Sequence, residues 1–256
     1  SNTTGAGNVA MGKGALDANT TGNYNVAVGR DALGANTTGS GNIAVGTGSL
    51  DAQTSGGDGN TAVGHFTLSA NTTGDNGVAI GYNALNANTT GGSNVAIGYG
   101  ALAVNTTGAE NVAIGRNALD ANTTANENVA IGYVSMTANT TGAHNVAVGH
   151  DSLKANTTGS YNIAIGRDCM QANTDGASNV AVGSNALDAC VSGNNNVAIG
   201  DFSLTNYTGN SNTAVGHDSL NACTTGANNV AVGNEALKAN TTGAQNTAVG
   251  AYTADA

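Results

Sequence analysis

The stretch Asn94-Val95-Ala96-Ile97-Gly98-Tyr99-Gly100-Ala101-Leu102-Ala103-Val104-Asn105-Thr106-Thr107-Gly108-Ala109-Glu110 is a seventeen-residue unit, and nearly all of the chain is that unit repeated. Copies open at Asn8, Asn25, Asn42, Asn60, Gly77, Asn94, Asn111, Asn128, Asn145, Asn162, Asn179, Asn196, Asn212, Asn229 and Asn246. Residues 1–256 therefore read as one continuous array. The spacing is 17 except for one residue gained around Gly56-Gly57 and one lost around Asn206-Tyr207. Self-similarity at a fixed period identifies a stacked repeat architecture.

Within a copy, Val95, Ala96 and Ile97 alternate and Gly98 closes the run, the period-2 signature of a short strand. The expectation is that Val95 and Ile97 point inward and Ala96 outward. Ala101-Leu102-Ala103 reads as a second short strand with Leu102 inward, and Asn105-Thr106-Thr107-Gly108 as a tight corner. Several glycines and β-branched residues per unit make a helix unfavourable. The predicted fold is all-β: a parallel β-solenoid, a flattened β-roll with two short strands per coil and about 15 coils.

Repetition also records which positions are free to drift. The Ala after the first strand residue is invariant from Ala10 to Ala248, and the closing Gly from Gly12 to Gly250. The Leu position is Leu in twelve of fourteen complete copies, with Met136 and Met170 in the others. Stacked Val, Ile and Leu contribute roughly 1.5–3 kcal/mol each when buried. An outward position that accepts only a methyl group implies a surface packed against it. Ala79, Ala96, Ala113, Ala130, Ala147 and Ala164 are accordingly expected at an interface between copies of the chain.

Composition narrows the function classes. Only six Lys and Arg stand against sixteen Asp and Glu, for a net charge of −10. That balance argues against nucleic acid, whose phosphates need clustered cations. No apolar run approaches the ~18 residues of a membrane span, and no signal peptide is visible. There is no phosphate loop, nucleophile elbow or recurrent calcium-solenoid motif, so neither an enzyme nor a cofactor is expected. Neither end segment, Ser1-Asn2-Thr3-Thr4 or Tyr252-Thr253-Ala254-Asp255-Ala256, resembles a capping unit. The expectation is an excised piece or rods that join end to end.

The run Asn-Val-Ala-Ile-Gly, as at Asn94 to Gly98 and Asn128 to Gly132, resembles the head repeat of YadA-like trimeric autotransporter adhesins. Asn60 to Gly64 and Asn240 to Gly243 are also similar to repeats of phage tail fibres and other extracellular fibre proteins. The resemblance implies a left-handed roll, a homotrimer, a cell-surface or virion-fibre location, and host-surface proteins or glycans as partners. The adhesin head repeat is nearer fourteen residues, so the Asn-Thr-Thr-Gly corner is additional here. The expected function is a structural or adhesive extracellular rod, and the alternative a glycan-binding or ice-binding solenoid.

Stacked coils rise by ~4.8 Å, so chemistry must be sought by column. Tyr82, Tyr99, Arg116, Tyr133, His150 and Arg167 follow the closing Gly in six successive copies and form a candidate ligand stripe. His65, His150 and His217 share that column but lie four or five coils apart, ~19–24 Å, too far to share a metal. Asn19, Asn36, Asn71, Asn88, Asn105, Asn122, Asn139, Asn156 and Asn240 occupy one corner column. They read as a hydrogen-bonded Asn ladder or, with Asn206-Tyr207-Thr208, as glycosylation acceptors. Adjacent Thr residues face opposite ways, which weakens the ice-binding reading. Cys190 and Cys223 replace the corner Asn two coils apart, ~9.6 Å, beyond the reach of a disulfide.

Overall fold

A computed structural model describes residues 2–254; Ser1, Asp255 and Ala256, parts of the two end segments, lie outside the described residues. The chain forms two compact units, Ser1–Asn128 and Val129–Ala256. The first unit carries β1 (Val9–Met11), β2 (Val26–Val28), β3 (Ile43–Val45), β4 (Thr61–Val63), β5 (Val78–Ile80), β6 (Val95–Ile97) and β7 (Val112–Ile114). The second carries β8 (Val129–Ile131), β9 (Val146–Val148), β10 (Ile163–Ile165), β11 (Val180–Val182), β12 (Val197–Ile199), β13 (Thr213–Val215), β14 (Val230–Val232) and β15 (Thr247–Val249). In each unit every strand pairs in parallel with the next, so each unit is a parallel β-solenoid. Val95 sits over Val112 in the first, and Val129 under Val146 in the second.

Each coil holds one strand, not two. The segment expected as a second strand is a chain of turns in which Leu102 has φ 53°. The same conformation recurs at Leu33, Leu119, Met136 and Leu187. Left-handed backbone is disfavoured for any side chain and worst for β-branched ones. That explains why this column holds only Leu and Met while the strands hold Val and Ile. The turns still stack: Leu102 N–H donates to Ala118 O at 3.0 Å and Ala87 N–H to Ala103 O at 3.0 Å.

The inside of the coil is the reverse of the expectation. Ala79, Ala96, Ala113, Ala130, Ala147 and Ala164 are fully buried within their own chain, while Ile80, Ile163 and Ile165 are 39%, 38% and 40% exposed. These alanines are core, not an interface between copies. The physical reason is the thinness of the roll. Leu102, buried at 0% exposure, fills the interior from the turn side. The small residue before each Leu reaches across to the strand, as when Ser152 Oγ donates to Ala164 O at 3.0 Å. Only a methyl group fits between them. The invariance of Ala did report a wall close by, but the wall is the opposite side of the same coil.

The closing glycine is required twice over. Gly98 has φ 133°, and a Cβ there would stand 2.6 Å from Gly115 O of the next coil. The two slips in the period leave the strand register intact. Ile43 pairs with Thr61 across the longer copy and Val197 with Thr213 across the shorter one. The corners absorb the change. In the shorter copy the ring of Tyr207, fully buried, stands where other coils place the corner Asn.

Candidate functional site

The strand face is an extended apolar feature that each unit leaves without a partner from its own chain. With Ala inside, the two flanking residues of every strand point outward, so each unit presents two parallel files of Val and Ile. Thr61, Thr213 and Thr247 interrupt one file. A file of this kind is ordinary for a single residue and unusual when repeated at every strand, because contiguous apolar surface on soluble proteins marks contacts.

In the first unit the two borders of this face differ in charge. The border following the strands holds Lys13, Arg30, His65, Tyr82, Tyr99 and Arg116 in its first column, and one carboxylate, Asp31, in the column after it, beside Arg30. The border preceding them holds Asp58, Asp75, Glu110 and Glu127, with no cation. Glu110, Glu127 and Arg116 are all exposed. All three arginines of the chain, Arg30, Arg116 and Arg167, lie in the column that follows the closing Gly.

That column is the stripe singled out from the sequence, and the structure stacks it. In the first unit His65 and Tyr82 rings are 5.6 Å apart and Tyr82 and Tyr99 5.3 Å, near parallel in both cases. The Arg116 guanidinium lies 5.6 Å from the Tyr99 ring centre. In the second unit Tyr133 and His150 stack at 5.1 Å, and Arg167 Nε lies 3.6 Å from Asp168. Ring faces are therefore turned toward neighbouring coils, and what the column offers outward is ring edges and hydroxyls.

The corner column is a ladder. Asn19, Asn36, Asn71, Asn88, Asn105, Asn122, Asn139 and Asn156 are buried, and Asn240 partly so. Asn105 Nδ2 donates to Asn88 Oδ1 at 2.8 Å and to Gly108 O at 2.9 Å, and Asn122 Nδ2 repeats the pattern onto Asn105. The nitrogen that a glycan would occupy is thus the ladder's donor. Asn206, outside the ladder, is exposed. The first corner Thr is also engaged, Thr106 Oγ1 donating to Thr123 O at 3.0 Å, while Thr107 faces solvent. A second ladder, missed in the sequence reading, runs through the opening Asn: Asn111 N–H donates to Asn94 Oδ1 at 2.9 Å and Asn111 Nδ2 to Ala125 O at 2.9 Å. Its signal was present, since Asn opens every copy but the one at Gly77.

Two irregularities complete the inventory. The first ladder stops at Asn173, whose buried Oδ1 has no hydrogen-bond partner because Cys190 follows it. Burial raises the thiols of Cys190 and Cys223 above their ordinary value and pushes Cys169 up to about 12. The other irregularity is a cluster of His150, Asp151 and Asp168, whose ligand atoms lie within 4.8 Å of one another. Spacing within the His column could not reveal it, because the carboxylates come from the next column on adjacent coils. Asp151 Oδ2 already faces Lys154 Nζ at 3.2 Å and Gln171 Nε2 at 3.4 Å, so the group is a charge-compensated network. Among the described residues no helix is long and apolar enough to cross a membrane. Comparison with protein-family models, curated proteins and solved structures returned no match.

Proposed function

We propose that the protein is a structural, adhesive building block of an extracellular fibre or surface appendage, resembling the head of a trimeric adhesin, and that it works as a homo-oligomer closed through its strand faces. The observation that carries this reading is the pair of files, mostly Val and Ile, that flank the buried Ala of the strands and stay half-buried to exposed in the single chain. Burying such surface yields about 25 cal/mol per Å2, and a second copy offers a matching face at the same pitch. Three copies about a common axis is the arrangement the resemblance implies. Outside the closed face, the second corner Thr, such as Thr107, faces solvent and recurs along much of the array, and multivalent contact of this kind turns weak binding to a host protein or glycan into firm attachment.

The test is the mass in solution of the wild-type chain and of the triple variant Ile80→Asp, Ile97→Asp, Ile114→Asp. The wild type is expected to run as a closed oligomer, and the variant as a folded monomer with an unchanged circular dichroism spectrum. A wild-type chain that stays monomeric at high micromolar concentration would sink the reading.

A further inference from the structure

We infer that Arg116 of one copy faces Glu110 and Glu127 of a neighbouring copy, and that this contact makes the copies assemble with their coils running in the same direction. The inference rests on the self-association proposed above and names its orientation determinant.

The geometry of the first unit's face leaves few choices. Each strand crosses the face from a carboxylate border to a cation border; in the coil of β7 the sequence runs from Glu110 across Val112, Ala113 and Ile114 to Arg116. Suppose two such faces meet with their stacks parallel, related by rotation about an axis along the stack. The strands then cross in opposite senses, and the cation border of one copy lies along the carboxylate border of the next. This holds for any cyclic number of copies. If the stacks instead run antiparallel, strands cross in the same sense. Cations then border cations and carboxylates border carboxylates. The apolar files cannot make this choice, because Val and Ile at constant pitch fit either way. The charged borders can, since rim charges contribute little affinity but like charges brought together are strongly disfavoured.

Arg116 is the cation best placed for the role. Glu110 precedes the strand of its own coil and Glu127 precedes the next coil, so a neighbour in register, or one coil out, presents a carboxylate to it. Its guanidinium lies over the Tyr99 ring, 5.6 Å from the centroid, along the same border. Arg30 has no carboxylate in the preceding border within one coil of its own.

Cross-linking tests the contact directly. The three native cysteines are buried, so a short bis-maleimide reports on introduced ones. Arg116→Cys alone and Glu110→Cys alone are expected to remain single chains on a denaturing gel. The double variant is expected to give covalent dimers and the closed oligomer. In parallel, Arg116→Glu should weaken self-association at least tenfold at low salt, and adding Glu110→Lys and Glu127→Lys should restore it. Cross-linking by Arg116→Cys alone means antiparallel copies and overturns the inference. So does a double variant that fails to cross-link, or a charge reversal without effect, while the wild type remains oligomeric. A monomeric wild type removes the self-association reading itself, and this contact with it.

Discussion

Residues in this fold are selected as much by backbone conformation as by burial. Besides the closing Gly, three columns sit at positive φ in coil after coil: the one two residues after that Gly, the Leu column, and the one just before the opening Asn. The first of these is filled mainly by Gly, Asn and Asp, the residues for which left-handed backbone is mildest: Gly48, Asn83, Gly100, Asn117, Asp151 and Asn185. Phe66, Phe202, Glu235 and Tyr252 depart from this choice, and Val134, at φ 45°, is the β-branched residue of the column. A β-branched side chain held there costs of order 1–3 kcal/mol. Val134→Asn is therefore expected to stabilise the protein by about 1 kcal/mol, read as a rise in thermal midpoint of about 2–4 °C. Two half-buried carboxyls give a second test. Burial raises Asp120, and burial with the nearby Asp168 raises Asp188 against a lowering hydrogen bond from Asn185. Because the folded values lie above the ordinary 3.8, the folded state binds protons more readily than the unfolded one. Their penalty is thus present at neutral pH and is relieved as pH falls through the raised values. Asp120→Asn with Asp188→Asn should raise the urea midpoint at pH 7, and the gain should shrink on acidification. A gain independent of pH would exclude this origin.

At the scale of the coil, strand and corner are held by different forces. Strand residues are locked by parallel backbone pairing, whereas the corners depend on amides that satisfy one another from coil to coil. An unpartnered buried acceptor costs about 1–3 kcal/mol. The orphan Oδ1 of Asn173 is such a cost, and Cys190 is its cause. Cys190→Asn would supply a donor to Asn173 above it and to Gly193 beside it, as Asn173 itself does for Asn156 and Gly176. The expected gain is about 1–2 kcal/mol in chemical denaturation; a loss would show that the neighbouring Tyr207 leaves no room for the amide. Much of this element was legible beforehand. The period gave the stacking, alternation with a closing Gly gave the strand, and the Asn-Thr-Thr-Gly run gave the corner. The facing of the strand was not legible. Alternation says that Ala96 and its neighbours oppose one another, and habit places the larger side chains inside. What decides is the width of the interior, set by Leu102, Ala101 and two Asn amides arriving from elsewhere in the coil. The turn at Leu102 was hidden for a related reason, since Leu carries no propensity for left-handed backbone. Only the absence of Val and Ile from fourteen equivalent positions hinted at it.

At the scale of the molecule, the reversed strand changes where stability comes from. A roll with Val and Ile inside would be self-sufficient. A roll with Ala inside buries its Leu column but keeps Val and Ile at the surface, where they contribute in full only once another face covers them. With few aromatics and no Trp, the chain has little apolar mass to bury beyond that Leu column. Folding and assembly should then be coupled by mass action, because a state that buries surface between copies is favoured as concentration rises. The thermal midpoint of the wild-type chain is expected to increase with protein concentration. For a closed oligomer the slope of the logarithm of concentration against reciprocal midpoint temperature gives the enthalpy of the combined process. The Ile80→Asp, Ile97→Asp, Ile114→Asp variant should melt lower, at a midpoint that does not depend on concentration. The difference between the two at a fixed concentration measures what the strand faces supply. If both chains melt at one temperature at every concentration, the exposed files are not buried by copies of the chain, and the fold must be stabilised by its Leu columns and amide ladders alone.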